Sequence, residues 1–365
     1  MNRRTFIQCG LTAAFASPVF AALRRERLDD AVAVLDRATA SGQVAAAAMH
    51  VSQGQTSLDR TFGKAETADA MFLLGSISKP ITVTALMTLF DQGEFKLDDR
   101  LTKFIPEFAG EGRENVTLRH LLTHVSGLPD QLPENDALRQ SHATLPEFVA
   151  AAIRTPLGFA PGSRYSYSSM AILLASRVAE LISKTDVLTL VDRAVLQPLG
   201  MKHSAQGLGR FAIEDMVRVQ TEFGAVEAGG GKPKAKDWDW NSPYWRKLGA
   251  PWGGTHASAS DVGRFLAEFL FEKGTVVKPE TSRLMIGNQN PPGLTPRGLG
   301  MNIGADAGKP GCSDKTFGHS GSTGTFAWAD PASQTICVVL TSLPSRAVKP
   351  HPCDMAAASI ASAVH

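Results

Sequence analysis

Cysteine is scarce in this chain, with 4 among 365 residues. Cys9 falls near the N-terminus, so Cys312, Cys337 and Cys353 serve the rest. Three widely spaced cysteines exclude a disulfide scaffold and leave open whether any two of them pair. None stands beside a histidine in a zinc-like or nucleophile-like pattern, so they read as packing residues. Net charge is nearly absent too. The chain has 37 basic and 35 acidic side chains, which gives no electrostatic case for nucleic acid or an anionic membrane as partner. Internal repeats, low-complexity tracts and a glycine-rich phosphate loop are missing. So is any G-x-S-x-G, which counts against a nucleophile-elbow hydrolase.

What the chain does have begins at its N-terminus. "MNRRTFIQCGLTAAFASPVFAALRRER" carries two adjacent arginines, a short apolar stretch and then small residues. This is the layout of an export signal, and Arg3-Arg4-Thr5-Phe6-Ile7 resembles a twin-arginine signal. The apolar run from Phe6 to Leu23 contains Pro18 and is marginal for a membrane span. The reading is a signal over 1–22, cleaved near Ala21 or Ala22, and an exported protein, periplasmic or secreted. No stable membrane insertion is expected after cleavage; an uncleaved anchor is the alternative.

The length suits one large domain or two. Leu28 to Ala40 has the pattern of an amphipathic helix. "VAAAAMHVSQG" and "QTSLDRTFG" follow as two strands turning at Gln53-Gly54. "LRHLLTH", "LPEFVAAAIRT", "SMAILLASRVAELIS", "LTLVDRAVLQPLG" and "SDVGRFLAEFLFEKG" read as helices, and "GLGMNIGA", "TFGHSGSTGTFAWAD" and "TICVVLTSL" as strands. "DMAAASIASAV" closes the chain as a small-residue helix. The expected fold class is α+β: one antiparallel sheet built from both ends of the chain and flanked by helices, with a mostly helical insertion. The expected division is 23–95 with 270–365 for the sheet domain and 96–269 for the helical domain, with the active site at their interface.

Chemistry points to "GSISKP" at 75–80. A serine hydroxyl is a weak nucleophile that needs a base. A lysine serves when burial or a helix N-terminus depresses its pKa. Pro80 fits the first helical turn, where its missing N–H costs little. This places Ser76 at the helix start with Lys79 one turn on and on the same face. S-x-x-K alone is a weak signal. Two other segments strengthen it: "PGSRYSYSS" puts Tyr167 at a helix entry, suited to proton relay, and "GHSGSTGT" is a glycine-rich strand entry suited to holding an oxyanion.

With "LLGSISKPITVTALMTLFDQGEFKLDD" and "LRHLLTHVSGLP", these segments resemble the penicillin-recognising serine hydrolases. The similar branch holds class C β-lactamases, D-alanyl-D-alanine carboxypeptidases and related esterases. The resemblance implies a β-lactamase/transpeptidase-like fold. It implies Ser76 as nucleophile, Lys79 as its base partner and Tyr167 as general acid/base. The N–H groups of Ser76 and Ser322 would form the oxyanion hole, and Ser169, His319, Ser320 and Gly321 would line the substrate cleft. It implies acyl transfer through a Ser76 ester, with no metal and no organic cofactor, on a small-molecule ester, amide or peptide.

Two positions depart from the family pattern. The tyrosine motif Y-x-N reads Tyr167-Ser168-Ser169 here, and His319 stands where class C β-lactamases have lysine. A histidine of ordinary pKa, about 6.5, is largely neutral at pH 7. Both departures favour neutral acyl substrates, so the expectation is an esterase-like or broad acyl hydrolase. The alternatives are a carboxypeptidase or β-lactamase, or a non-catalytic protein that binds β-lactams or cell-wall peptides.

Three further features have plainer readings. His120 and His124 are spaced as in H-E-x-x-H, but Leu121 replaces the glutamate, so they read as packing or hydrogen-bonding residues. "WDWNSPYWRKLGAPWGG" holds four of the five tryptophans; it reads as domain packing, with a roof over the cleft as the alternative. Ser258 or Ser260 caps the helix that follows, and His256 reads as structural.

Overall fold

The computed structural model describes residues 25–54 and 56–363. The export-signal reading, Cys9 included, lies outside them. Helix α1 (Arg25–Ala40) leads into strands β1 (Ala46–Gln53) and β2 (Thr56–Gly63), then the short β3 (Phe72–Leu73). The next helix, α2 (Ser78–Asp91), starts two residues after Ser76, which sits in a 3₁₀ turn over Gly75–Ile77. Ser76 and Lys79 therefore stay one turn apart, but the serine precedes the α-helix proper.

The middle of the chain supplies α3 (Leu118–Leu122), α4 (Asn135–Gln140), α5 (Leu145–Arg154), α6 (Ser169–Ser183) and α7 (Val187–Val191), the last continuing as a π turn. Then come β4 (Ser204–Gln206), α8 (Pro243–Leu248), β5 (Thr255–Ala257), α9 (Ala259–Leu270) and α10 (Pro279–Ile286). The C-terminal part is β6 (Asn302–Ile303), β7 (Phe317–Gly321), β8 (Thr325–Asp330), β9 (Thr335–Thr341) and α11 (Pro352–Ser362). The stretch "GLGMNIGA" forms only the two-residue β6 rather than a full strand.

Six strands form one antiparallel sheet in the order β2-β1-β9-β8-β7-β6. It is built from both ends of the chain, as expected. Helices cover both faces, which is why β9 reads as an unbroken apolar run. Cys337 and Val339 face a cluster with Ala31, Leu35, Cys353 and Ile360 of α1 and α11. Ile336, Val338 and Leu340 belong to the other cluster, with Val262, Phe265 and Phe269 of α9. Alternate residues of a strand point to opposite faces, so each strand joins two cores. Helix α9 thus lies on the sheet, although its sequence had placed it with the helical insertion. Ser258, not Ser260, caps it, accepting from the Asp261 N–H.

A second sheet, β3-β5-β4, was not anticipated. Helix α2 is apolar nearly all round and is buried against α6 and α7. Among the described residues no helix is long and apolar enough to cross a membrane.

Candidate active site

The turn that carries Ser76 is tied down from two sides. Leu74 N–H donates to Thr255 O of β5 at 2.9 Å, and Thr255 N–H donates to Ser78 Oγ at 2.9 Å. From the large sheet, Thr323 Oγ1 donates to Leu73 O and Thr325 Oγ1 to Leu74 O, each at 2.7 Å. Gly75 makes this approach possible. Its φ is +56°, and a Cβ there would lie 2.9 Å from Thr323 Oγ1 and 3.2 Å from Ser322 N. The Ser322 backbone is thereby brought against the Ser76 turn, and both residues line the same cleft.

Lys79 is fully buried. Its Nζ lies 3.1 Å from Ser76 Oγ and 2.9 Å from Trp252 O. Burial lowers its pKa to about 7; the Asp130 carboxylate opposes that fall and Arg297 adds to it. The Tyr167 ring centroid is 4.8 Å from Lys79 Nζ. The Tyr167 hydroxyl is buried and interacts electrostatically with Ser76, but makes no hydrogen bond of good geometry. Burial pushes the phenol pKa up, against the pull of Arg297, so at neutral pH Tyr167 is a phenol and not a tyrosinate.

His319, Ser320 and Gly321 lie in the same cleft as Ser76 and Ser322. Strand β7 is not the sheet edge, because β6 pairs with it at Gly318 and Phe317. His319–Gly321 extend past the end of β6. His319 Nδ1 is 2.7 Å from Ser320 O, a carbonyl that can only accept, so that nitrogen carries the proton. Nε2 then accepts from Arg297 Nη2 at 3.0 Å. Burial, Arg297 and Lys79 hold the His319 pKa well below its ordinary value, so the ring stays neutral.

Arg297 and Asp130 went unread in the sequence, and His124 was not placed at the site. Arg297 is buried between His319 and His124, with Nη2 3.3 Å from His124 Nε2, and its Nη1 contacts Asn302. His124 had been read as a packing or hydrogen-bonding residue, and it is both. It is buried and neutral, its ring centroid 4.5 Å from that of Tyr167, and its Nδ1 accepts from Ser168 N–H. A φ of +61° at His124, unusual for a residue with a side chain, was the structural signal for a special position. Asp130 accepts from Ser169 N–H at 2.9 Å and from Ser169 Oγ–H at 2.6 Å. The hydroxyl of Ser169 is therefore turned to Asp130.

Two cavities meet at Ser76. One, of about 480 Å³, is polar and is lined by Tyr167, Arg297, His319, Ser322 and Arg346. The other, of about 200 Å³, is bounded by Asp130, Ser169, Trp240, Trp245 and Trp252. The tryptophan segment thus packs the helical half and also walls the cleft, so both readings of it hold. A larger cavity of about 820 Å³, near α9 and α10, contains none of these groups.

Other residues singled out in the sequence sit elsewhere. His256 is buried against Gly207 O, its pKa lowered to about 3, mainly by burial. His120 closes the cap of α3, accepting at Nδ1 from Thr117 N–H. Cys312, Cys337 and Cys353 are free thiols. Among the described residues no group of histidine, cysteine and carboxylate side chains is arranged to hold a metal.

The family model described as Beta-lactamase matches residues 28–362. The chain belongs to the beta-lactamase family. Within that family it is similar to Esterase EstB of Burkholderia gladioli, at 35% identity over 196 residues. That match covers 50% of this chain and 48% of EstB, so the chain spans about half the length of that relative. Penicillin-binding protein 4 of Amycolatopsis lactamdurans is 27% identical over 304 residues, covering 78% of this chain and 75% of that one. Among solved structures, a penicillin-binding protein homologue from Caulobacter crescentus superimposes with a TM-score of 0.75 at 19% identity. It covers 93% of this chain and 99% of its own, and bears on the fold. The β-lactamase/transpeptidase-like architecture of this family is the one described above.

Proposed function

We propose that this chain is a serine hydrolase that forms an acyl-enzyme on Ser76 and acts on small esters in preference to β-lactams. The observation that carries the reading is the buried Lys79 amine, 3.1 Å from Ser76 Oγ with a pKa near 7. Such an amine is substantially neutral at physiological pH and can accept the serine proton. With one N–H given to Trp252 O, its lone pair is free for Ser76.

In this mechanism Ser76 Oγ attacks the acyl carbon as its proton passes to Lys79. The carbonyl oxygen takes up negative charge between the N–H groups of Ser76 and Ser322. Tyr167, a phenol, hands a proton to the departing alkoxide and is reprotonated from Lys79. Water then enters by the reverse relay, and the Ser76 ester is cleaved to release the acid. The resemblance to an enzyme named esterase supports the ester reading. So does neutral His319, which offers no fixed charge of its own. Export to the periplasm or medium is part of the proposal and rests on the N-terminal residues alone.

A second reading is hydrolysis of a D-alanyl peptide. It draws on Arg297 and Arg346 in the polar cavity, which suit a substrate carboxylate.

The test is intact mass of the purified protein after brief exposure to p-nitrophenyl esters, a cephalosporin or a D-alanyl peptide, with product release followed in parallel. Ester turnover that Ser76→Ala abolishes is the expected result. Peptide turnover in place of ester turnover establishes the second reading. A stable Ser76 adduct without turnover makes the protein a binding or sensing protein. No adduct and no release with any of them overturns the proposal.

A further inference from the structure

The tryptophan-walled cavity beside Ser76 carries hydrogen-bonding capacity that the protein leaves unused. Asp130 lines it, and one of its carboxylate oxygens is engaged: Oδ1 takes the N–H and the hydroxyl of Ser169 at 2.9 and 2.6 Å. Among the described residues Oδ2 has no hydrogen-bond or ion-pair partner. Pro129 O accepts from Ser168 Oγ at 2.8 Å, so the loop is held against the head of α6. Gln131 lines the same cavity and has a buried Oε1 without a partner. The buried Trp245 is in the same position at Nε1.

Buried polar atoms need partners, and a polar cavity of about 200 Å³ has room for water to serve them. A ligand group that displaces such water must restore its bonds or bind less well. A hydrocarbon group restores none. A hydroxyl or an ammonium donates to Asp130 Oδ2 and Gln131 Oε1; the hydroxyl also accepts from Trp245 Nε1. Two cations border the same space. Arg139 bonds Asn135 Oδ1 at 3.1 Å and lies 3.9 Å from the centroid of the Trp245 ring, and Arg346 lies where the two cavities join. They oppose a further positive charge, so ammonium and hydroxyl need separate trials.

Both cavities reach Ser76 and Tyr167. A leaving group departs and water replaces it, which suits the roomier cavity of about 480 Å³. The acyl group stays on Ser76 through both steps, which suits the smaller one. We propose that the small cavity is the acyl subsite and selects acyl groups with a hydrogen-bond donor, hydroxyl or ammonium, on the carbon next to the ester carbonyl, read by Asp130 and Gln131. The proposal rests on the Ser76 acyl-enzyme reading above.

Methyl isobutyrate, methyl lactate and methyl alaninate test it, because they place a methyl, a hydroxyl and an ammonium of similar size on the same carbon. Release of methanol and acid at pH 7, where most of an α-amino group is protonated, gives kcat/KM for each. The quantity read is the ratio to isobutyrate within each protein, so general losses of folding or of base strength cancel. The proteins are wild type, Gln131→Leu and Asp130→Asn; the last keeps an oxygen for Ser169 and turns the free acceptor into a donor. The lactate ratio, the alaninate ratio or both should fall at least fivefold in each variant. A fall in the lactate ratio alone makes the selected donor a hydroxyl; a larger fall for alaninate in Asp130→Asn makes it an ammonium. Ratios within twofold of wild type in both variants overturn the proposal, and the esterase reading stands if p-nitrophenyl acetate is still turned over. If wild type hydrolyses no ester but cleaves lactamide or alaninamide, and the variants lose that cleavage, the ester reading fails and this one stands. No reaction with any of these substrates sinks both.

Discussion

Lys79 Nζ reaches the carbonyl oxygen of Trp252 at 2.9 Å, across 173 positions of chain. The contact fixes the amine in a place that burial alone would leave unsatisfied. It also joins the tryptophan wall of the cleft to Lys79.

Ester turnover should therefore follow the ionisation of Lys79. kcat/KM is expected to rise as pH rises through about 7, since the neutral amine is the active form and the pKa lies there. Lys79→Arg, whose guanidinium stays charged, should lower kcat by about 10²–10⁴-fold. A profile that is flat from pH 5.5 to 8.5 would remove Lys79 from the mechanism.

Arg297 acts on Lys79 in the opposite sense from Asp130. Arg297→Met should move the acid limb to higher pH, because a cation that disfavours the charged amine is lost. The same change frees His319 Nε2 and lets that ring protonate more readily. The pH profile of Arg297→Met, measured beside that of wild type, checks the sign. A downward shift in Arg297→Met would contradict it.

Three buried histidines, His124, His256 and His319, have pKa values held below the ordinary one by burial. In the unfolded chain each binds a proton near pH 6.5. Below that pH the unfolded state holds more protons than the folded state, so stability falls as pH falls. The melting temperature should drop steadily from pH 7 to pH 5. His256→Gln, whose ring bonds Gly207 O and lines neither cavity at Ser76, should flatten part of that slope without moving the acid limb of catalysis. An unchanged slope in His256→Gln would refute its share.

Gly75→Ala places a Cβ at 2.9 Å from Thr323 Oγ1 with φ at +56°. The strain is of order 1–3 kcal/mol. Relieving the contacts displaces Thr323 Oγ1 and the Ser322 backbone from the Ser76 turn. We expect kcat to fall by tenfold or more, with the melting temperature lower by a few degrees, as seen by scanning calorimetry beside the kinetics. Normal kcat would mean that the Ser322 N–H has no part in the hole.

The strongest elements were legible in the sequence because their determinants are local. Pro80 marks a helix start, and the spacing of Ser76 and Lys79 needs only helical periodicity. β9 was readable from its β-branched run, and α9 from its Ser258 cap. Arg297 and Asp130 carry no local signature. One follows a proline in a loop, the other follows a proline in another loop, and only tertiary packing brings them to Lys79. His124 was read as a packing or hydrogen-bonding residue, and it is one, but its place at the site was not legible: its neighbour in sequence is a packed helix, while its neighbours in space are Tyr167 and Arg297. The two-residue β6 was overestimated because "GLGMNIGA" alternates like a strand, whereas the φ of +70° at Gly300 and +61° at Gly304 ends the ladder on both sides.

The strand order has a consequence for how the chain reaches this state. β1 pairs with both β2 and β9, and the Ala46 N–H finds Ser342 Oγ 296 residues away. During synthesis the first hairpin must wait, its inner edge unpaired, until almost the whole polypeptide has emerged. Contacts so distant in sequence make for slow folding and for exposed edges along the way. Ser76 and Ser322 belong to those early and late parts, so a nascent chain cannot bring the two together before its C-terminal strands arrive.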